Sequence, residues 1–340
     1  MSTTTRQHNC AIDIFRYVCA VLIVAIHTHL LMDVNANLGF VFTHMITRIG
    51  VPFFFCVAGY FYIGKLEAGK KSLWKYVKRL VIVYSLWTVL YYALDFVQYG
   101  RHDIVAYLKD CVYYYFIAGS RGHFWFFPAL IYTVFMVTAL WKLGSKKIVV
   151  PLGVLLYGIC CLGSAYYYGI GNRIPVLNRL FLSEHWEVLK RIFLTGFPFF
   201  GCGYLIRQLE KRITTKKATL WLLVVSTLLW LGEMVLVKEL QWQKDVVTTP
   251  FLYLEVVAVV LFLLKHPLSH CEKQANACRV VANFTYYSHP FVIICINLVS
   301  QVLLQTTFTE TPMFLLTTIL CGIAGWIVYR WNNKYVNYLV

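Results

Sequence analysis

Apolar runs recur along the whole 340-residue chain, and many reach the roughly 20 residues that a helix needs to cross a bilayer core. Inside lipid every backbone polar group has to be satisfied within the protein, so such segments cross as helices. The strict alternation of apolar and polar residues that marks a membrane β-barrel is absent from the sequence. The chain is therefore predicted to be an all-α membrane protein.

Composition and charge agree with a membrane location. Charged residues make up 14% of the chain, whereas a soluble domain carries about 25%. The net charge of +16 is better explained by lysine and arginine in cytoplasmic loops than by binding to nucleic acid. The eleven cysteines show no zinc-ligand spacing, so we expect small buried hydrophobic side chains and no metal.

The runs define a bundle of about ten predicted transmembrane helices. With the N-terminus placed in the cytoplasm, the inner segments hold 20 lysines and arginines and the outer loops hold 9. This bias predicts a multi-pass protein of the cell membrane with both termini in the cytoplasm, which requires an even number of spans. The predicted spans are 11–31, 42–63, 78–98, 123–141, 148–168, 191–208, 218–237, 249–265, 281–302 and 312–331.

Ionisable residues inside the first predicted span are the strongest functional candidates. Arg16 and His27 are eleven residues apart, which is about three helical turns and roughly 16 Å on one face. Arg16 is expected near the cytoplasmic boundary and His27 deep in the membrane. The alternatives are that Arg16 reaches lipid phosphate and that His27 makes a structural hydrogen bond between helices. His29 points away from that face and is expected to have no special role.

Basic residues precede the third predicted span. Lys75, Lys78 and Arg79 fall on one side of a helix at the inner boundary, in the stretch KKSLWKYVKRLVIVY. They are either ordinary topology signals or a cradle for a cytoplasmic polyanion.

Three further residues stand at special points of later spans and are candidates for the substrate site. His123 and Trp125 open the fourth span in HFWFFPALIY, and His289 lies inside the ninth span in YYSHPFVI. Because proline has no backbone N–H, Pro290 predicts a local break in helix hydrogen bonding next to His289. Glycines and a proline also interrupt the second span, which predicts a kinked helix against a cavity or a close neighbour. Three acids within spans are candidates to pair with a histidine or a lysine, and the sequence alone does not assign their partners: Asp95, Glu233 and Glu255.

The ordered set of motifs resembles membrane acyltransferase family 3. It includes an arginine and a histidine separated by ten residues in the first span, then VPFFFCVAGYF, WKYVKRLVIVY, HFWFFPALI and YYSHPF. Within that family the first two spans look most like the membrane half of the serine racemases of vancomycin-resistance operons. The resemblance covers nearly the whole chain and implies a single acyltransferase domain over residues 1–340. One departure is that the family often has a denser arginine cluster where this chain has lysine.

The resemblance implies transfer of an acyl group, usually acetyl, from cytoplasmic acyl-CoA to a hydroxyl of a cell-envelope glycan or a related small molecule. By carry-over, Arg16 and His27 match the catalytic pair, and Lys78 and Arg79 match basic residues of the third span. Imidazole can act there as a base or as a nucleophile that carries the acyl group, and both remain open. The alternative from another class is a transporter of a small amino acid such as serine. A glycan exporter is a third hypothesis, and oligomeric state is left open.

Overall fold

A computed structural model of the chain describes residues 9–70, 73–99, 103–244, 248–303 and 305–331. These residues form helices joined by short turns, and no strand occurs among them. Short π or 3₁₀ segments precede or extend several of the α-helices, at Val41–Met45, Ile46–Ile49, Tyr114–Ala118, Lys146–Ile148, Gly171–Arg173 and Lys190–Gly196. The α-helices are α1 (Cys10–Thr28), α2 (Ala36–Phe40), α3 (Gly50–Glu67), α4 (Leu73–Tyr99), α5 (Ile104–Tyr113), α6 (Phe126–Lys142), α7 (Val149–Gly163), α8 (Pro175–Phe181), α9 (Trp186–Leu189), α10 (Phe197–Arg212), α11 (Lys216–Glu239), α12 (Pro250–Lys265), α13 (Glu272–Leu303) and α14 (Glu310–Trp331).

The all-α membrane architecture is confirmed, and a helix overlaps each predicted span. Within the described part of the chain, seven helical segments are long and apolar enough to cross a membrane. The helix α6 is apolar but shorter, and α12 has 16 residues. The predicted count of about ten crossings is therefore not confirmed.

Apolar side chains cover the outside of the bundle as well as its core. α11 and α14 expose large hydrophobic residues along their length, among them Trp221, Leu228, Ile319 and Ile327. A soluble protein rarely exposes so large an apolar surface, whereas lipid accommodates it. We call the end of the bundle where α1 begins the inner end, and the end where α1 stops the outer end, after the predicted orientation.

The second predicted span shows the irregularity that its glycines and proline indicate. The helical stretch Ala36–Glu67 passes through the π turn Val41–Met45 and the 3₁₀ turn Ile46–Ile49 before α3 begins. A Cβ on Gly59 would lie 1.9 Å from the carbonyl oxygen of Phe200, and one on Gly203 would lie 2.2 Å from the backbone nitrogen of Tyr60. The two glycines thus allow α3 and α10 to pack backbone against backbone, so the predicted close neighbour is confirmed.

Among the described residues, the three acids within spans have partners other than histidine or lysine. Asp95 forms an ion pair with Arg121. Glu233 accepts hydrogen bonds from the Tyr166 hydroxyl and a backbone N–H. The third acid, Glu255, accepts from two hydroxyl groups of α11, those of Ser226 and Thr227. Hydroxyl and backbone donors satisfy a buried carboxylate without a second charge, and sequence periodicity does not reveal them.

Candidate functional site

Three histidines from separate parts of the chain meet near the outer end of the bundle. The ring centroids of His27 and His289 are 5.0 Å apart, those of His123 and His289 are 4.9 Å apart, and those of His27 and His123 are 6.2 Å apart. His27 lies in the last turn of α1, His289 lies inside α13, and His123 lies just before α6. The sequence marked all three as candidates, and the fold brings them into one cluster.

The proline after His289 orients that imidazole. Pro290 has no N–H to donate to the carbonyl of Tyr286, four residues earlier. The Nδ1 atom of His289 fills the gap, at 3.0 Å from the carbonyl oxygens of both Tyr286 and Thr285. Because carbonyl oxygens only accept, Nδ1 carries the proton and Nε2 presents a lone pair. That Nε2 is buried and has no hydrogen-bond partner within the described residues.

A tyrosine of α4 satisfies two further backbone groups at the same break in α13. The Tyr91 hydroxyl donates to the carbonyl of Tyr287 at 2.8 Å and accepts from the N–H of Phe291 at 3.2 Å. In an uninterrupted α-helix these two backbone groups would bond to each other. Tyr91 is fully buried, so its side chain inserts into the hydrogen-bond ladder of α13. The predicted local break in hydrogen bonding at the histidine–proline pair is thus confirmed, and the Tyr91 hydroxyl bridges it.

The loop before α6 holds His123 in place. The Tyr286 hydroxyl donates to the backbone carbonyl of His123 at 2.7 Å. Gly119 has φ 91°, and a Cβ there would lie 2.3 Å from the backbone nitrogen of Trp125. Only glycine tolerates both the positive φ and the contact, so the loop folds tightly enough to bury His123.

A cavity of about 230 Å³ opens beside the histidines. His27, His123 and Trp125 line it. The His27 side chain is exposed at the cavity, whereas His123 and His289 are buried. A second cavity of about 390 Å³ adjoins the first and shares Gly122 and Arg191 with it. His27 is therefore the most accessible histidine of the cluster, whereas His289 does not line the cavity.

Charged residues that the sequence did not single out also line the first cavity. They are Arg48, Lys190, Arg191 and Glu187. Arg48 approaches His44 through a nitrogen pair 3.0 Å apart. The sequence does hold a signal for these cations: Arg48 lies within an apolar run, and Lys190 and Arg191 lie at the edge of another apolar run. In the count of charges on the two sides of the membrane, Lys190 and Arg191 were assigned only to an outer loop.

Arg16 lies at the inner end of the bundle, away from the histidines. Its guanidinium forms an ion pair with the buried carboxylate of Asp13 at 2.7 Å. The charges of Arg16 and Arg79 both act on the hydroxyls of Tyr76 and Tyr287. Arg16 and Arg79 therefore both lie within electrostatic range of the same two tyrosines.

Lysine side chains also lie at the inner end of the bundle. The Lys65 ammonium lies 6.0 Å from the ring centroid of Tyr76. Lys75 and Lys78 are exposed on the first turns of α4. The cations predicted on α4 are thus exposed, and they lie at the opposite end of α1 from His27. Within the described residues no group of three His, Cys, Asp or Glu side chains is arranged to hold a metal ion.

Comparison with known proteins places this chain in a family. The chain is 28% identical to an amino-acid racemase of Enterococcus faecalis over 85% of its own length and 42% of the relative's. It is also 28% identical to a serine/alanine racemase of Enterococcus gallinarum, over 92% of its own length and 45% of the relative's. The chain thus spans less than half the length of these curated relatives. No solved structure matches it. A family model described as an acyltransferase domain matches residues 9–330, so the chain belongs to the acyltransferase 3 family.

Proposed function

We propose that the protein is a membrane O-acyltransferase that moves an acyl group, in the simplest case acetyl, from cytoplasmic acyl-CoA to a hydroxyl of an acceptor in the outer cavity. The acceptor would be a cell-envelope glycan or a related small molecule. The observation that carries the proposal is the separation of two sites along α1. Cations gather at the inner end around Arg16 and Arg79, and an accessible imidazole faces a cavity near the outer end.

The chemistry assigned to His27 is general base catalysis. His27 takes the proton from the acceptor hydroxyl while the oxygen attacks the thioester carbon. The tetrahedral intermediate then breaks its carbon–sulfur bond, and the leaving CoA thiolate takes the proton back from His27. An O-acyl ester and free CoA result, and His27 returns to its starting state.

The two buried imidazoles would position His27 for this step. The Nδ1 proton of His289 is committed to backbone carbonyls, so its Nε2 can only accept from a neighbouring imidazole N–H. Such contact would hold one nitrogen of His27 protonated and leave the other as the base. His289 and His123 are thus proposed as positioning residues, and Trp125 as part of the acceptor-side wall.

The inner-end cations would bind the phosphates of CoA. Arginine and lysine bind phosphate through charge-assisted hydrogen bonds. Arg79, Lys75 and Lys78 are exposed on one side of α4, where a soluble polyanion can reach them. The thioester would then extend from Arg16 toward His27 along the length of α1, about 16 Å for eleven residues.

The test uses purified protein in lipid nanodiscs with acetyl-CoA labelled in the acetyl group. We expect CoA release to depend on added hydroxyl acceptor and the label to appear on the acceptor. Label that stays on the protein when no acceptor is present would replace the base mechanism with an acyl-histidine route. No CoA release, together with serine uptake into liposomes without acyl-CoA, would instead establish the transporter hypothesis.

A further inference from the structure

The second cavity, of about 390 Å³, takes no part in the proposed chemistry, although it adjoins the cavity beside His27. The two cavities share Gly122 and Arg191 in their linings. A Cβ on Gly122 would meet no atom within 4 Å, so the junction beside this glycine is open. The first cavity alone, at about 230 Å³, is smaller than the roughly 300–1,000 Å³ of typical ligand sites. A ligand of ordinary size that reaches His27 therefore extends into the second cavity.

A surface helix forms one wall of the second cavity. Tyr107, Asp110 and Cys111 of α5 and Tyr114 of the π turn that follows all line it. Because the last three follow Tyr107 at spacings of three, four and seven residues, all four share one face of the helix. No residue of α5 is buried, so this wall lies at the surface of the outer end, where a long acceptor can enter and leave.

Charges of both signs line the second cavity. Among the described residues of its lining, Asp95 and Arg121 form an ion pair, and Asp110 and Arg191 supply one further charge of each sign. A charged ligand would therefore meet like charge in the same cavity, which disfavours its binding. A hydroxyl group avoids this conflict, because it donates to a carboxylate and accepts from a guanidinium. Both of those groups have more hydrogen-bonding positions than one ion pair occupies.

Tyrosine rings supply the apolar part of the lining. The Tyr92 hydroxyl donates to the carbonyl of Cys111 at 2.8 Å, and the Tyr107 hydroxyl donates to the carbonyl of Tyr92 at 3.0 Å. These bonds tie α5 to α4 and hold both rings in place, so their apolar faces are fixed. Fixed aromatic faces beside carboxylate and guanidinium groups suit a sugar ring, which has an apolar C–H face and a rim of hydroxyl groups.

We propose that the second cavity is a distal subsite for the acceptor, and that it binds a neutral polyhydroxylated unit, such as a sugar ring, next to the unit that is acylated at His27. The inference rests on the proposed function, because that function places the acceptor in the first cavity. It makes the preferred acceptor at least two units long and excludes a single small alcohol. Tyrosine faces contact the C–H surface of the distal unit, and Asp110 and the Asp95–Arg121 ion pair bond its hydroxyls.

Equilibrium binding to the protein in nanodiscs, without any acyl-CoA, tests the subsite. The probes are the neutral monosaccharides glucose, galactose and N-acetylglucosamine. Each is compared with a disaccharide that carries it as the non-reducing unit, namely cellobiose, lactose and di-N-acetylchitobiose. We expect at least one disaccharide to bind at least about tenfold more tightly than its monosaccharide. A tenfold gain corresponds to about 1.4 kcal/mol, the net contribution of one or two hydrogen bonds.

Two pairs of variants locate the extra affinity in the second cavity. Tyr114→Ala should reduce the tenfold preference for the disaccharide to about threefold or less, whereas Tyr113→Ala should leave it intact. The two tyrosines are neighbours with exposed fractions of 47% and 46%, and of the two only Tyr114 lines the cavity. Gly122→Phe should also reduce the preference, because the ring fills the junction. Gly158→Phe is its control, since Gly158 likewise has no atom within 4 Å of its Cβ and lies outside both linings.

The ratio of the two affinities is measured within each variant, so a general loss of folded protein cancels. Equal affinities for every disaccharide and its monosaccharide would overturn the subsite, as would equal losses of the preference in Tyr114→Ala and Tyr113→Ala. A preference that a diglucosyl lipid in the nanodisc abolishes by competition supports a membrane-borne chain, and a preference that this lipid leaves intact supports a soluble one. The comparison of probes on the unmodified protein decides even if a variant does not fold. A preference for disaccharides without CoA release would refute the acyltransferase alone. Acyl transfer to monosaccharides and disaccharides with equal kcat/KM would refute the subsite alone.

Discussion

Replacing Tyr91 with phenylalanine tests how the histidine–proline break in α13 is held. The substitution keeps the buried ring and removes the hydroxyl that bridges Tyr287 and Phe291 at 2.8 and 3.2 Å. An unsatisfied buried backbone group costs about 1–3 kcal/mol, and hydrogen bonds between membrane helices average about 0.6 kcal/mol with a maximum near 1.7. For two bonds lost together we expect the free energy of unfolding to fall by about 1–3 kcal/mol.

The assay is reversible unfolding by SDS in mixed micelles, followed by tryptophan fluorescence. Tyr132→Phe is the matched control, since its hydroxyl makes a single exposed hydrogen bond to the carbonyl of Phe116 at 2.8 Å. That variant should lose no more than about 0.6 kcal/mol. Equal losses in Tyr91→Phe and Tyr132→Phe would refute the bridging role of Tyr91.

Pro290→Ala separates helix stability from the orientation of His289. Alanine restores an N–H that can donate to the Tyr286 carbonyl and compete with Nδ1 of His289. Because proline inside a helix is unfavourable, the free energy of unfolding should not fall, whereas acyl transfer should. A variant that is less stable but fully active would contradict the proposed positioning of His289.

Three further predictions concern the inner end, the outer loop and the core. Arg79→Gln should weaken acyl-CoA binding about tenfold or more and should have less effect on turnover at saturating acyl-CoA. Unchanged affinity for acyl-CoA would mean that Arg79 serves only to set the orientation of the protein in the membrane. Asp33 lies in the loop between α1 and α2, and hydrogen bonds from the N-terminal end of α14 lower the pKa of its carboxyl group. The ionised carboxylate therefore stabilises this loop at pH values above the unfolded pKa of about 3.9. The stabilisation is lost as the pH falls through the lower folded pKa. A spin label at Val34 should therefore become mobile only in strong acid, whereas in Asp33→Asn it should be mobile at neutral pH as well. Gly59→Ala should destabilise the bundle by about 1–3 kcal/mol, because the added Cβ clashes with α10. Gly158→Ala is the control and should not destabilise it, because a Cβ at Gly158 meets nothing within 4 Å. Similar free energies of unfolding for the two variants would contradict the close packing.

Several parts of the fold and site follow from the sequence because they depend on charge and periodicity. The lengths of the apolar runs predict where the helices lie. His27, His123 and His289 stand out because they are ionisable residues in or beside these helices, and a proline follows His289. The chain reverses direction between successive spans, so the end of α1 and the start of α6 meet at the outer end of the bundle. Residues assigned separately from the sequence thereby become neighbours.

Other features could not be predicted because they depend on local backbone irregularity and on neutral partners. The π turn at Lys190 changes which side chains face the cavity, and an average helical period cannot reveal it. Tyr91 looks like one more aromatic residue of an apolar run, and its bridging role exists only because α4 packs against the break at Pro290. The sequence does not assign partners to the acids Glu233 and Glu255, and the structure shows that hydroxyl groups donate hydrogen bonds to them.

The most direct test of the account is acyl transfer by His27→Ala beside His29→Ala. His29 is exposed and follows α1 as its C-cap with φ 54°, so the two variants remove imidazoles two residues apart with different surroundings. His27→Ala should insert, fold and bind acyl-CoA normally, and transfer of labelled acetyl should fall by about a hundredfold or more, the scale for loss of a general base. His29→Ala should stay close to the unmodified rate. Near-normal turnover in His27→Ala, with loss of turnover in His123→Ala or His289→Ala, would contradict the assignment of His27 as the catalytic base.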